Sequence, residues 1–289
     1  MASMNDILNI DHLPAMPVAL AQAIGLLFNP DSDWAAIESV ISRDEALSVA
    51  VLRLANSALY GASDRQFDLR RSLSRLGRDV VRRCLLQQQV SRIVGEEVAA
   101  FDLQRGALWR SSLAGAIAAE QIAIEHKFSD PSLAFMCGLL RDIGKLAINV
   151  KYGAGYLTLI SAHAKDGHSF TEAEDAALGF NHAQIGGALA HRWRLPERVA
   201  RAIECHHQPP PPGPGHDMLF DIVHAADLIS RWAGLGLGFD GMNYPLAEHV
   251  RIGLALDRRS AEREIAFVWE QLRQVQDSMN ESAKQGVAA

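Results

Sequence analysis

Ion-binding side chains concentrate in two stretches of this chain. The first is Phe135-Met136-Cys137-Gly138-Leu139-Leu140-Arg141-Asp142-Ile143-Gly144-Lys145-Leu146. An apolar helix there delivers one carboxylate, Asp142, and the chain then turns at Gly144-Lys145. Arg141, a permanent cation, stands beside the carboxylate. Its guanidinium either pairs with an aspartate such as Asp142 or points to solvent. Lys145 reads as a cation at a helix C-terminus, where the helix dipole favours it. The second stretch is basic. Arg65, Arg70, Arg71, Arg75, Arg78, Arg82 and Arg83 face only Asp68 and Asp79. On an unbroken helix Arg71, Arg75, Arg78 and Arg82 form one stripe, with Gly77 inside it as a potential break. Such a stripe can contact phosphate, of nucleic acid or of a nucleotide messenger. Phe67 is the only aromatic interleaved with it, too few for stacking on single strands. A solvated or partner-facing surface is the plainer reading.

Helical patterns carry these residues throughout. Pro14 and Pro17 flank the start of a helix that runs through Leu27. Ser32 or Asp33 caps the next, whose Trp34, Ile37, Val40 and Ile41 share a face. Ala46 to Leu54 is apolar on most sides and should be buried. Leu73, Leu76, Val80, Val81, Leu85 and Leu86 keep helical spacing across Gly77. The polar run Gly95 to Arg105 marks a boundary. Further helices are expected over Leu108 to His126, Ser132 to Leu140, Glu172 to Leu178, His182 to Trp193, Pro196 to His206 and Met218 to Trp232. Gln208 to Gly215 is a stiff extended loop. No run alternates like a strand, so the expected class is all-α. The expected layout is an N-terminal helical lobe at 10–105, a helical bundle at 106–235, and a glycine-rich connection with a C-terminal helix at 236–289. In that last helix Ala261, Ile265, Val268, Leu272, Val275 and Met279 form a narrow seam. The seam either docks on the body or joins two copies in a homodimer. The tail after Asn280 is expected to fray. Gly234-Leu235-Gly236-Leu237-Gly238 follows no strand and is not read as a dinucleotide loop.

The 289 residues suffice for a sizeable core, and 48% apolar with 21% charged residues is an ordinary globular balance. A net charge of −6 argues against a general nucleic-acid or membrane binder. Cys84, Cys137 and Cys205 are odd in number and far apart, which excludes a disulfide framework or zinc ribbon and predicts reduced thiols. Met1 to Asn9 has no signal-peptide pattern and no apolar run reaches a membrane span, so a cytoplasmic location is expected.

Four stretches together resemble the HDOD family, the HD-related output domain of bacterial signalling proteins. They are Leu13-Pro14-Ala15-Met16-Pro17; Ile41-Ser42-Arg43-Asp44-Glu45-Ala46-Leu47 leading into Leu52-Arg53-Leu54-Ala55-Asn56-Ser57-Ala58-Leu59-Tyr60-Gly61; Leu108-Trp109-Arg110-Ser111-Ser112-Leu113 with Gly138 to Lys145; and His182-Ala183-Gln184-Ile185-Gly186 through Trp193-Arg194-Leu195-Pro196 to His206-His207. Glu45 stands where the family usually has proline. The resemblance spans roughly residues 10 to 235 and implies a two-lobed helical fold. It also relates the chain to HD-type phosphohydrolases, which hold divalent metals through histidine and aspartate so that the cation polarises a phosphoryl oxygen and acidifies a water. Carried over position by position, the early histidine falls at Ser111 and the His-Asp pair at Arg141 and Asp142. The late aspartate falls at Asp227. His182, His206 and His207 resemble the additional histidines of the HD-GYP relatives, whose Gly-Tyr-Pro signature is here replaced by Pro209-Pro210-Pro211-Pro212-Gly213.

The resemblance therefore implies a disarmed site, with Ser111 and Arg141 disabling it and no cofactor required. A guanidinium about 4 Å from a divalent cation opposes it by several kcal/mol, on the order of 8 at an effective dielectric of 20. A residual site of Asp142, His182, His206 and Asp227 remains conceivable, for Mn, Mg or Fe. The other histidines, among them His12, His168, His216, His224 and His249, read as ordinary polar residues. The implied role is non-catalytic signal transduction through protein–protein contacts with two-component or second-messenger proteins, with any input arriving in trans. The alternatives are a metal-dependent phosphohydrolase, and a nucleotide or nucleic-acid sensor using Arg65 to Arg83.

Overall fold

Side-chain caps and apolar periodicity set the helix boundaries. A computed structural model describes residues 3–286, apart from 10–12, 14–15, 30, 58–59, 61–67, 164–168 and 242–243. His12, Pro14, Arg65, Phe67 and His168 thus lie outside the described residues. The N-terminal helices are α1 (Met4–Leu8), α2 (Val18–Phe28), α3 (Trp34–Ile41), α4 (Glu45–Ala55), α5 (Leu69–Leu76) and α6 (Arg78–Val94). Next come α7 (Ala107–Glu125), α8 (Pro131–Leu140), α9 (Gly144–Tyr152), α10 (Gly155–Ser161), α11 (Phe170–Leu178), α12 (His182–Arg192) and α13 (Glu197–Glu204). The chain closes with α14 (Met218–Trp232), α15 (Glu248–Gly253) and α16 (Arg258–Gly286). Among the described residues there is no strand, and the only extended pairing is one bridge between Val98 and Leu103. No helix of the described residues is long and apolar enough to cross a membrane.

Aspartates cap four helices by accepting a backbone N–H three residues on: Asp33 from Ala36, Asp44 from Leu47, Asp68 from Arg71 and Asp130 from Leu133. Reciprocal capping boxes start α11, through Ser169 and Glu172, and α12, through Asn181 and Gln184. Helices α2 to α6 pack on one another, and α6 in turn reaches α7 and α8. Helix α7 is the spine, lying against α8, α14, α16 and α6. It approaches α8 closely because small residues face each other: a Cβ on Gly138 would stand 2.6 Å from the Gly115 carbonyl oxygen.

Several expectations change here. The basic stretch is two helices, since Gly77 at φ 80° ends α5 and redirects α6. Its arginines serve the fold. Arg75 donates to the Ala55 carbonyl, and Arg78 donates to the carbonyls of Leu26, Asn29 and Ser32. Arg82 is buried, pairs with Asp130 at 2.8 Å and lies 4.0 Å over the Phe28 ring. Arg71 is exposed. The stripe is thus divided between two helix axes. Within the run Gly95 to Arg105, Val98, Ala100, Phe101 and Leu103 are buried. Gly144 opens α9 rather than making a turn, and α1, α10 and α15 had no sequence signal we read. Part of the α16 seam docks within the chain: Ala261 and Val268 are buried, and α16 packs on α7 and α14. Helix α16 extends to Gly286.

Replacing Gly138 by alanine drives a methyl group into the α7 backbone. We expect a stability loss of about 1–3 kcal/mol in urea denaturation, and an unchanged midpoint would show that the α7–α8 approach is loose.

Candidate functional site

Six ionised side chains from four parts of the chain meet in the core, each at most 3% exposed. Arg141 follows α8, Asp142 comes next, Lys145 lies in the first turn of α9, Asp227 and Arg231 lie on α14, and Asp240 lies in the connection after α14. They form a closed ring of alternating charge. Arg141 Nε meets Asp227 at 2.7 Å, Asp227 meets Arg231 at 3.0 Å, and Arg231 meets Asp240 at 3.0 Å. Asp240 meets Lys145 at 2.9 Å, Lys145 meets Asp142 at 3.0 Å, and Asp142 returns to Arg141 at 3.4 Å.

Arg141 anchors the ring. Its Nε–H donates to Asp227, Nη1 donates to the carbonyls of Ser111 and Gly138, and Nη2 donates to the hydroxyls of Ser111 and Ser230. That matches the five N–H donors of a guanidinium. Space for it depends on Gly115, where a Cβ would collide with the guanidinium. Ser111 is roofed by Gly236 at φ +67°, where again no Cβ fits.

Imidazoles line one edge. His182 Nδ1 lies 2.5 Å from Glu174, which also accepts from the Tyr156 hydroxyl at 2.6 Å. His182 Nε2 faces His207 Nε2 at 2.9 Å and Asp142 at 3.6 Å. His206 donates from Nδ1 to the Ile203 carbonyl at 2.7 Å, leaving Nε2 buried without a partner. His207 stacks on Tyr244 at 4.2 Å. Both Asp142 oxygens also lack a hydrogen bond, since their cationic neighbours reach them at poor angles.

Burial and charge set the protonation states. Burial would raise the pKa of Asp142, but Lys145, Arg141 and Arg231 hold it well below the ordinary carboxylate value. Asp227 is likewise lowered, burial being outweighed by Arg231 and Arg141. Burial opposes the charge on Lys145, but Asp142 and Asp240 outweigh it and raise its pKa. For His206 burial wins and pushes the pKa down to about 4. His207 is pushed down too, by burial and then by His206 and His182.

The buried cluster of Asp142, His182, His206 and His207 can hold a metal ion, because one ligand atom from each lies within 4.8 Å of the others. The donor set fits a divalent cation. Two imidazoles are oriented through Nδ1 by a carboxylate and a carbonyl, as metal-ligating histidines are, and His206 Nε2 and the Asp142 oxygens are orphaned. The structure thus gathers three of the expected ligands, adds His207, and separates Asp227, which is taken up by Arg141 and Arg231. Lys145 is no helix C-terminal cation; it lies in the first turn of α9 and is buried in the ring. Sequence reasoning missed Arg231, Asp240, Glu174 and Tyr244. Only Arg231, one turn after Asp227 on the same helix face, left a signal that spacing alone can find.

This is an all-helical protein built around a buried histidine and aspartate centre. The chain matches the HDOD domain over residues 13–209 and belongs to that family. It is similar to a crystal structure of an HDOD domain protein of unknown function from Geobacter sulfurreducens, with 26% identity, TM-score 0.64, and 96% and 93% of the two chains covered. A candidate phosphohydrolase from Shewanella amazonensis SB2B is similar at 25% identity and TM-score 0.60, covering 92% of this chain and 97% of that one. A candidate signal transduction protein from Marinobacter aquaeolei VT8 shares the fold at 21% identity and TM-score 0.69, over 98% of this chain and 61% of that one. An uncharacterized protein of Treponema pallidum (strain Nichols) is 27% identical over 226 residues, which are 77% of this chain but only 43% of that relative. The chain therefore spans under half of that relative's length and less than two thirds of the Marinobacter protein.

Acid should weaken the metal-free protein in two windows. His206 has a folded pKa of about 4 against an ordinary 6.5. Between those values the unfolded chain holds the proton and the folded one does not. Stability therefore falls as pH drops through that range, by on the order of 3 kcal/mol. Below pH 3.8 the depressed Asp142 and Asp227 add a further loss, because the unfolded state protonates first. Urea unfolding of chelated protein from pH 7.5 to 4.5 checks the first window, and a flat profile would contradict it.

Proposed function

We propose that this chain is a non-catalytic regulatory protein of signal transduction that works by contact with other proteins. The observation that supports this reading is Arg141. Its guanidinium, with the Ser111 hydroxyl beneath it, stands where HD-type enzymes place metal-binding histidines. It holds Asp227 at 2.7 Å, so the charge a metal would supply there is built into the chain. Access points the same way. Asp142, His182 and His206 are at most 1% exposed, and a phosphoester cannot approach them without rearrangement of the core. The family's signalling setting makes two-component or second-messenger proteins the expected partners.

A second reading, a metal-dependent phosphohydrolase, draws on the orphaned His206 Nε2 and the Asp142 oxygens. A divalent cation bound there would supply Lewis acidity toward a phosphoryl oxygen. Asp142, His182, His206 and His207 would hold it. Lys145 at 3.0 Å from Asp142 and Arg141 at 3.4 Å compete with it for the carboxylate. Each opposes a divalent charge by several kcal/mol, on the order of 8 at about 4 Å and an effective dielectric of 20. We therefore favour the regulatory reading.

Two outcomes test it. Purified protein should not hydrolyse phosphomonoesters, phosphodiesters or cyclic dinucleotides above background with Mn²⁺, Mg²⁺ or Fe²⁺, and turnover abolished by Asp142→Asn would reverse the conclusion. Arg141→Met should destabilise the fold by about 3–5 kcal/mol, because it strands a buried carboxylate. Loss of less than about 1 kcal/mol would show that the arginine does not replace a metal's charge.

A further inference from the structure

A cavity of about 280 Å³ lies between α6, α7, α8 and α16, and no residue of the charged ring lines it. Its apolar side is Ile117 and Ile124 of α7, Phe135 of α8 and Phe267 of α16. Its polar side is Arg83 and Gln87 of α6, Glu120 and Gln121 of α7, and Gln271 of α16. Spacing puts these groups on single helix faces, since Arg83 with Gln87, Ile117 with Gln121, and Phe267 with Gln271 are each one turn apart. An apolar wall with a few convergent polar groups is the make-up of a small-molecule site, and such sites span roughly 300–1,000 Å³. This one stands at the small end, suited to a single ring system.

Two of the polar groups already form a pair. Arg83 donates from Nη2 to Glu120, and its guanidinium lies 5.2 Å from the Phe135 ring centroid. The Glu120 side chain is largely buried and that of Arg83 partly exposed. Burial raises the pKa of Glu120, and Arg83 only partly offsets it. One guanidinium therefore leaves this carboxylate with acceptor capacity to spare. A guanidinium beside a carboxylate offers donors and then acceptors along one edge. Guanine has the complementary edge, with acceptors at N7 and O6 followed by donors at N1 and N2. Adenine does not fit, because its N6 amino donor, next to N7, would face the guanidinium. Among the described residues Arg83 is the only cation lining the cavity, and Glu120 already holds it, so a phosphate group finds no free charge there. Among the described residues the Gln87 and Gln271 carboxamides make no hydrogen bond, which leaves both for ribose hydroxyls.

We propose that this cavity binds a guanine nucleoside through its base, with Arg83 donating to N7 and O6 and Glu120 accepting from N1–H and the N2 amino group. The apolar wall of Ile117, Phe135 and Phe267 covers the rest of the ring system. Bound there, the nucleoside ties α6 and α16 to α7. The site is independent of both readings of the buried centre, because it shares no residue with the ring or with the Asp142 cluster.

Isothermal titration calorimetry of the full-length chain with guanosine, inosine, adenosine and GMP provides the test. Guanosine should bind with a Kd on the order of 100 μM, the affinity that one well-placed ring system supports. Inosine lacks the 2-amino group, leaves one acceptor position of Glu120 unfilled, and should bind about tenfold more weakly. Adenosine should bind at least about tenfold more weakly than guanosine, and GMP no more tightly than guanosine. Glu120→Gln, shown folded by circular dichroism, should lose at least about tenfold in guanosine affinity. The nucleoside series on the wild type decides the matter even if that variant does not fold. The proposal fails if guanosine does not bind up to its solubility limit, if adenosine binds as tightly, or if folded Glu120→Gln binds guanosine like the wild type. Clearly tighter binding of GMP than of guanosine overturns it too, because the phosphate would then carry the recognition.

Discussion

Three cations and three carboxylates that cannot reach water must neutralise one another, and the middle of this molecule is arranged around that requirement. Each charge in the ring has an opposite charge on both sides, from Arg141 through Asp227, Arg231, Asp240, Lys145 and Asp142 back to Arg141. Removing water from such groups is expensive, so a buried pair is weak evidence for net stabilisation. Its effect is on uniqueness. The ring closes only when the end of α8, the start of α9, the middle of α14 and the connection carrying Asp240 stand in one relative arrangement. Any slip leaves an unpaired charge in the core.

The same constraint explains the small residues around the centre. A guanidinium lying flat between α7 and α14 needs Gly115 beneath it, and the close α7–α8 contact that delivers Arg141 needs Gly138. Gly144 lets α9 begin against the backbone of His182, where a Cβ would collide with the His182 carbonyl. Gly238 passes the Phe101 carbonyl at a distance no side chain permits, and that passage brings Asp240 to Lys145. The glycine-rich connection, which spacing rejects as a nucleotide loop, is the strap that closes the ring.

Legibility in the sequence was uneven for physical reasons. Helix class and most helix bodies follow from apolar periodicity, and α14 occupies the expected Met218–Trp232. Asp142, Arg141, Asp227 and the histidines were found through resemblance, which transfers positions rather than partners. Asp240 sits in a stretch with no pattern and Glu174 in an ordinary helix, and only the tertiary path brings both to the centre. Lys145 was misread because a lysine after a helix looks like a partner of the helix dipole until two buried carboxylates are known to face it. The single-helix geometry of the arginine stretch was misread for a related reason. A helical wheel assumes one axis, and Gly77 gives α5 and α6 two. It also assumes that long cations seek water, whereas Arg75 and Arg78 satisfy backbone carbonyls left open at helix ends.

In the regulatory reading, exchange of a histidine for an arginine changes what the centre responds to. An imidazole and a metal are conditional: the metal comes and goes with its supply, and the imidazole gains a proton near neutral pH. A guanidinium stays charged at every physiological pH and cannot dissociate from the chain. The ring is therefore permanent, and α7, α8, α9 and α14 are locked as one unit whatever the cell's metal status. In that reading such a unit does not signal by loading or emptying the ring. Its responsive parts must lie outside the ring, on surfaces where loops and short helices meet and where charges are not already matched.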